Sequence, residues 1–363
     1  MQITAALSRD PGTPLTIEQV ELQEPRGDEV LVRLVATGIC HTDLTVKSVW
    51  PAERSPMVFG HEGAGIVESV GDDVTAVKAG DHVIMSYRSC RACPECQQGH
   101  PTYCQEFLTL NAIGSRPDGS TPLHSNGDPI YGNFFGQSSF ASHAISYADN
   151  LVVVDEDVDL SLAAPLGCGV QTGAGAVLNV LRPEVDSSFV VFGAGAVGLS
   201  AVMAAKSLGV RTISAVDPVS ARRDLALEVG ATAAIDPAAG DALDAVRAAT
   251  DGGAGYALDT TAIPEVIRQA VDGLATRGVL AVVGVGQPEV TLDISEVINR
   301  GKTIRGVIEG DAVPQDFLPR LLEMHARGEL PVDKLIRTYP FDDIASAVAD
   351  ATSGATIKPV LIF

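Results

Sequence analysis

Four cysteines, Cys90, Cys93, Cys96 and Cys104, fall within fifteen residues in the pattern C-x2-C-x2-C-x7-C. Four thiolates with no open position form the donor set of a structural zinc site, with Zn–S bonds of about 2.3 Å. Ferredoxin-type iron–sulfur sites open with the same spacing, but their fourth cysteine comes after three residues and precedes proline. Here the gap is seven residues and Gln105 follows, so the pattern favours zinc. Two further cysteines stand alone: Cys40 in Gly38-Ile39-Cys40-His41-Thr42-Asp43, and Cys168 in Pro165-Leu166-Gly167-Cys168-Gly169. His61 stands in Gly60-His61-Glu62-Gly63-Ala64-Gly65. Spacing alone reads each of these as a packed core residue before a ligand. Beside a dinucleotide-binding fold a sharper reading opens. Two thiolates and one imidazole around Zn²⁺ leave little net charge and a fourth position for water or substrate.

That fold has its own signal. Val191-Phe192-Gly193-Ala194-Gly195-Ala196-Val197-Gly198 sets G-x-G-x-x-G between an apolar run and a helical pattern. Gly193 permits a tight turn, Gly195 admits backbone to a pyrophosphate, and Gly198 lets helix approach strand. The helix N-terminus adds free N–H groups and partial positive charge. Asp217 ends the next apolar run, nineteen residues after Gly198, where a carboxylate accepts from both ribose hydroxyls. It would repel the extra phosphate of NADP, so NAD is favoured; Arg222 and Arg223 nearby soften that discrimination.

The elements that must hold these residues follow two patterns. Up to about Ser146 apolar residues alternate over short runs, as in Ile17 to Leu22 and Glu29 to Leu34, with frequent Gly and Pro, which reads as a strand-rich domain. From about Ser187, strands at Phe189 to Phe192, Thr212 to Val216, Ala233 to Ile235, Tyr256 to Asp259 and Val279 to Val283 alternate with helices. Helices are expected at Ala196 to Leu208 and Ser220 to Val229. Such alternation implies a parallel sheet with crossover helices. The rhythm breaks near Gly306. Helices at Gln315 to Arg327 and Asp342 to Thr352 and a strand at Lys358 to Phe363 are expected to return to the first domain. The loop from Phe107 to Phe140, rich in Gly, Pro, Ser and Asn, is long enough to be functional or interfacial.

Composition excludes several classes. The 363 residues carry 25 Lys plus Arg against 46 Asp plus Glu, a net charge of −21, which repels nucleic acid and anionic membrane surfaces. Six cysteines are too few for a disulfide scaffold, and a reducing compartment suits metal binding better. The apolar run Phe189 to Ala205 is shorter than the roughly 20 residues of a membrane span. The first residues lack the basic and long apolar stretches of a secretory signal, so a soluble cytoplasmic protein is expected.

With Gly60-His61-Glu62-x2-Gly65-x5-Gly71-x2-Val74 and the four-cysteine lobe, the sequence resembles the zinc-dependent medium-chain alcohol dehydrogenases over essentially its full length. Asn111 to Ser115, Phe134 to Phe140 and Gly167 to Gly173 resemble the aryl (benzyl) alcohol dehydrogenases most closely. The resemblance implies an α/β fold: a Rossmann-type doubly wound parallel sheet over residues 169–308, and a GroES-like, mostly-β catalytic domain over 1–168 and 309–363. It implies two Zn²⁺ per subunit, the catalytic one on Cys40, His61 and Cys168. Asp43 then orients His61, Glu62 acts as a transient ligand (or is a surface carboxylate), and Thr42 takes the substrate proton. His41 and Lys358 match positions that contact pyrophosphate. Thr172 and the backbone near Val283, Val285 and Val307 hold the nicotinamide, and Tyr87 walls the substrate pocket. Thr45 departs from the pattern, because many relatives finish their proton relay with histidine there. The implied reaction is reversible oxidation of a primary alcohol, aromatic or allylic, by hydride transfer to NAD. Thiol-dependent formaldehyde dehydrogenase (glutathione or mycothiol) and a non-catalytic zinc- and nucleotide-binding protein are the alternatives. The long loop after the zinc lobe goes with a homodimer, a shorter one with tetramers.

Overall fold

The computed structural model describes residues 1–363, and its contacts divide the chain into two compact units. The first comprises Met1–Cys168, Val313–Leu322 and Leu335–Phe363; the second comprises Gly169–Ala312 and Glu323–Lys334. No helix is long and apolar enough to cross a membrane.

In the first unit the strand Glu29–Gly38 is the organiser. Its Val30-Leu31-Val32 run is buried on both faces, and it pairs on both edges. Antiparallel Glu62–Val70 lies on one edge; His143–Tyr147 and Lys358–Ile362 share the other. His82–Met85 continues the sheet beyond Glu62–Val70. A second sheet orders Met57–Val58, Gln2–Ser8, Thr16–Leu22, Leu123–Ser125 and Asp128–Ile130. Leu7, Met57, Phe59, Ile130, Phe134 and Phe140 fill the core beneath it. The helix His41–Ser48 follows the organising strand after Ile39 and Cys40, which places Cys40 at its N-cap.

The second unit is one six-stranded parallel sheet. Its order is Ala233–Ile235, Thr212–Val216, Ser188–Phe192, Ala254–Asp259, Leu274–Val282 and Thr303–Gly306, the doubly wound arrangement of a dinucleotide-binding fold. Phe189 to Phe192 is buried throughout, as a central parallel strand must be. The helix Ala196–Ser207 is buried from Gly198 to Ala205 for the same reason.

Two expectations need correction. A sixth strand, Thr303–Gly306, lies where the sequence rhythm breaks; all four residues are exposed at the sheet edge, so no burial pattern marks it. The tail, expected wholly with the first domain from residue 309, is divided. Glu323–Lys334 clusters with the second unit, where Leu330 and Val332 are fully buried and Lys334 pairs with Glu228 at 2.6 Å.

Candidate active site

Cys40, His61, Glu62 and Cys168 converge in the first unit, with one donor atom from each inside 4.8 Å of all the others. Local structure explains the convergence. Asp43, buried in the first turn of helix His41–Ser48, accepts the Cys40 N–H at 3.0 Å and the Gly60 N–H at 3.1 Å. Its Oδ1 also meets His61 Nδ1 at 2.7 Å. With Nδ1–H held, Nε2 is the free lone pair, and it lies 3.2 Å from Cys168 Sγ. Cys168 follows the turn Ala164–Gly167, which Ser86 fastens by donating its hydroxyl to Gly167 O at 2.7 Å. Two sulfurs and an oriented imidazole, all buried, form a donor set that fits zinc.

Charges in this pocket reinforce one another. A hydrogen bond from Cys168 holds the Cys40 thiol well below its usual range against the cost of burial, with help from Lys358 and His61. Burial opposes a charged His61, yet Asp43 and Cys40 outweigh it and raise the imidazole. Glu62 is fully buried, so the surface alternative is excluded, and burial pushes its carboxyl up to about 7 against the pull of Lys358. Lys358, expected at the pyrophosphate, donates its ammonium to both Glu62 oxygens at 2.8 and 2.9 Å and to Ile39 O at 3.2 Å. A carboxylate this buried needs a charge partner, and Lys358 supplies it. His41 is exposed, while Thr42 and Thr45 are half-buried on the same helix.

An aromatic wall adjoins the imidazole. Phe135 stacks on His61 at 4.6 Å, Phe134 meets it edge-on at 5.6 Å, and Phe107 bridges Phe135 to Tyr87. Tyr87 is buried and also borders a cleft of about 220 Å³ with Arg91, Cys96 and Gln315. Sequence reasoning missed Gln137, whose amide donates to His61 O and Ser86 O and accepts the Gly63 N–H, fixing the backbone on both sides of Glu62. A lone amide inside an aromatic run was the available signal.

The four-cysteine lobe brings its sulfurs within 4.8 Å of one another. Backbone N–H groups of Cys90, Cys93 and Glu106 point at Cys104, Cys90 and Cys104 sulfurs. Backbone hydrogen bonds lower Cys93 to about 6, while burial and the neighbouring thiols push Cys96 up to about 12. Four sulfurs so close resist joint ionisation until a cation joins them, and this donor set also fits zinc.

In the second unit the glycine loop has the shape its sequence requires. Gly193 has φ +91°, and a Cβ at Gly198 would stand 1.9 Å from Gly193 O. A Cβ at Gly195 would meet nothing within 4 Å; the space it leaves fits a pyrophosphate. Asp217 is buried and accepts the Ala194 N–H and the Val219 N–H, both at 2.8 Å, so it braces the loop. Arg222 lies 3.8 Å from it, and Val197 is half-buried in the loop's helix. Val283 and Val307 sit at the carboxyl ends of their strands, donating N–H to Asp259 O and Val282 O. Thr172 is buried, whereas Val285 is exposed. Gly193, Asp217, Val283 and Val307 each directly follow a strand, at the carboxyl end of the sheet where such folds bind dinucleotides.

Comparison with known proteins agrees with this geometry. Residues 26–156 match the alcohol dehydrogenase GroES-like domain and residues 196–327 the zinc-binding dehydrogenase domain. A geraniol dehydrogenase from Castellaniella defragrans is 45% identical over 363 residues, covering 99% of this chain and 97% of its own. An alcohol dehydrogenase zinc-binding domain protein from Burkholderia ambifaria, 48% identical, superposes with a TM-score of 0.97 over 100% of this chain and 99% of that one. Benzyl alcohol dehydrogenase from Acinetobacter calcoaceticus, 43% identical, gives 0.96 over the same shares. This chain belongs to the zinc-dependent medium-chain alcohol dehydrogenases, a membership that implies zinc and a nicotinamide cofactor.

Proposed function

We propose that the protein oxidises primary alcohols of allylic or aromatic type to aldehydes, reversibly, with NAD as hydride acceptor and two zinc ions per subunit. The observation that carries this reading is the convergence of Cys40, His61 and Cys168 beside the stacked ring of Phe135. Zinc held there supplies Lewis acidity toward an alcohol oxygen. Cys40, His61 and Cys168 hold the ion, and Asp43 fixes the imidazole so that Nε2 faces it. Cys90, Cys93, Cys96 and Cys104 hold the second ion and stiffen their lobe. Thr42, in the first helical turn after Cys40, takes the proton of the substrate hydroxyl. Phe134, Phe135, Phe107 and Tyr87 give an apolar, ring-faced wall suited to a flat unsaturated substrate and exclude water from it. Relatives named for geraniol and benzyl alcohol favour the same class. Asp217 at the end of the second strand favours NAD, since its fixed negative charge repels a ribose phosphate.

A homodimer accompanies this reading. The edge strand Thr303–Gly306 has no strand beyond it; Ile304 on it, and Ile294 and Ile298 on the helix that precedes it, are exposed. The functional test is steady-state oxidation of geraniol, benzyl alcohol and ethanol, with NAD and NADP in parallel, followed by absorbance of the reduced cofactor. Turnover of the first two with NAD, and its loss in His61→Ala with NAD binding retained, is expected. Activity confined to short aliphatic alcohols, or to formaldehyde with glutathione or mycothiol, overturns the substrate class.

A further inference from the structure

Just past the edge strand Thr303–Gly306 the chain makes an unusual turn. Glu309, Gly310 and Asp311 all have positive φ, at +48°, +66° and +49°. Two of the three are not glycine, so the backbone is strained there and surrounding contacts must hold it. They do so from the helix Gly169–Gly175, the helical segment Ala176–Leu181 that continues it and the edge strand itself, all of the same unit. Gly175 and Gly310 pack so closely that a Cβ on Gly175 would lie 2.4 Å from Gly310 O. Asn179 donates to Gly310 O at 2.9 Å, and Arg305 pairs with Asp311 at 2.5 Å.

The result is a carboxylate driven inward. Glu309 is only 8% exposed. Its Oε2 accepts from Gln171 Nε2 at 2.9 Å and from the Thr172 hydroxyl at 3.4 Å. Both groups donate to it, so the carboxylate acts here as an acceptor. Helix packing alone would be met more cheaply by an apolar side chain, since a buried charge costs free energy. The position suggests what the charge faces. The glycine loop and Asp217 sit over the first three strands of the sheet, where the adenosine half of a dinucleotide binds. The second half lies over the carboxyl ends of Ala254–Asp259, Leu274–Val282 and Thr303–Gly306. Glu309 follows the last of these by three residues, beside buried Val307 and Thr172.

We propose that the Glu309 carboxylate faces the nicotinamide half of the cofactor and makes this site discriminate between its redox forms, tightening the oxidised form relative to the reduced one. The proposal rests on the reading that a nicotinamide dinucleotide is the cofactor. The oxidised ring is cationic and the reduced ring is neutral, so a fixed negative charge favours only the first. One unit charge at roughly 10 Å, in a partly buried site of effective dielectric roughly 20, corresponds to a shift of about tenfold. Glu309 is a positioning residue by contact as well. Because Thr172 gives its one hydroxyl proton to Glu309, it offers only lone pairs to the cofactor, which suits a carboxamide NH₂ donor.

The test is equilibrium titration of NAD⁺ and NADH, by protein and NADH fluorescence, against the wild type, Glu309→Gln and Glu309→Asp. In Glu309→Gln the ratio Kd(NAD⁺)/Kd(NADH) is expected to rise about tenfold, chiefly through weaker NAD⁺ binding. Glu309→Asp keeps the charge and is expected to keep the wild-type ratio even if both affinities fall. Parallel loss of both affinities in Glu309→Gln, with no change of ratio, reduces Glu309 to a structural role and overturns the proposal. So does an unchanged pair of affinities. Should the glutamine variant not fold, Glu309→Met, which needs no hydrogen bond, gives the same comparison. A wild type that binds neither form refutes the cofactor reading itself, a result distinct from failure of the Glu309 assignment.

Discussion

Asp43→Asn tests how the metal centre is oriented. The native carboxylate takes three hydrogen bonds in a buried site, from Cys40 N–H, Gly60 N–H and His61 Nδ1, at 3.0, 3.1 and 2.7 Å. An amide has one accepting oxygen. If that oxygen keeps Gly60 and His61, the new NH₂ meets the Cys40 N–H donor to donor, leaving a buried N–H unpaired at a cost of about 1–3 kcal/mol. If it keeps Cys40, the imidazole loses its anchor. Either way His61 loses the negative charge that raises its basicity. Removing such a partner from a ligating histidine lowers metal affinity about 10–100-fold. The expected outcome is weaker zinc binding by that factor at the Cys40–His61–Cys168 site, with the four-cysteine site unchanged. Chelator competition with a chromogenic zinc indicator reads both sites as separate release phases. Two release phases with wild-type affinities, and full alcohol oxidation, would refute the assigned role of Asp43.

Lys358→Met leaves Glu62 buried without its cation and is expected to cost about 3–5 kcal/mol of stability by urea denaturation, most of it recovered in the double variant with Glu62→Leu. A raised KM for NAD with no loss of stability would instead favour the pyrophosphate contact that the sequence suggested. Ile304→Lys, with Ile298→Lys, places charge on the exposed edge strand and on the exposed helix before it, and is expected to convert the proposed dimer to monomer in sedimentation velocity; an unchanged sedimentation coefficient counts against that interface.

Much of this architecture was legible because short-range physics wrote it. Thr212–Val216, Ser220–Val229 and Ala233–Ile235 have the bounds that the apolar runs and the stop at Gly230 suggested. The strand Leu274–Val282 extends five residues before the expected start, because Leu274 to Gly278 lacks the dense apolar run of its second half. Thr303–Gly306 was invisible for a related reason: an edge strand exposed on both faces has no periodicity to detect. The four-cysteine spacing is local, so it could be read directly. Cys40, His61 and Cys168 are separated by up to 128 residues, and their meeting depends on the strand Glu29–Gly38 pairing with Glu62–Val70 and on the distant turn Ala164–Gly167; without a family resemblance, spacing could not join them. Partner choice was harder still. Lys358 reads as a basic residue near the end of the chain, and only three-dimensional placement shows it against Glu62. Glu309 carries no motif, and its importance rests on a left-handed turn that its residue type would not suggest.

Zinc-edge X-ray absorption on the purified protein, with metal content per subunit, tests the central claim most directly. Two zincs per subunit, one on four sulfurs and one on two sulfurs and an imidazole nitrogen, with the second environment lost in Cys168→Ser, is the expected result. A single zinc on four sulfurs, with Cys40, His61 and Cys168 unligated after reconstitution, would contradict it.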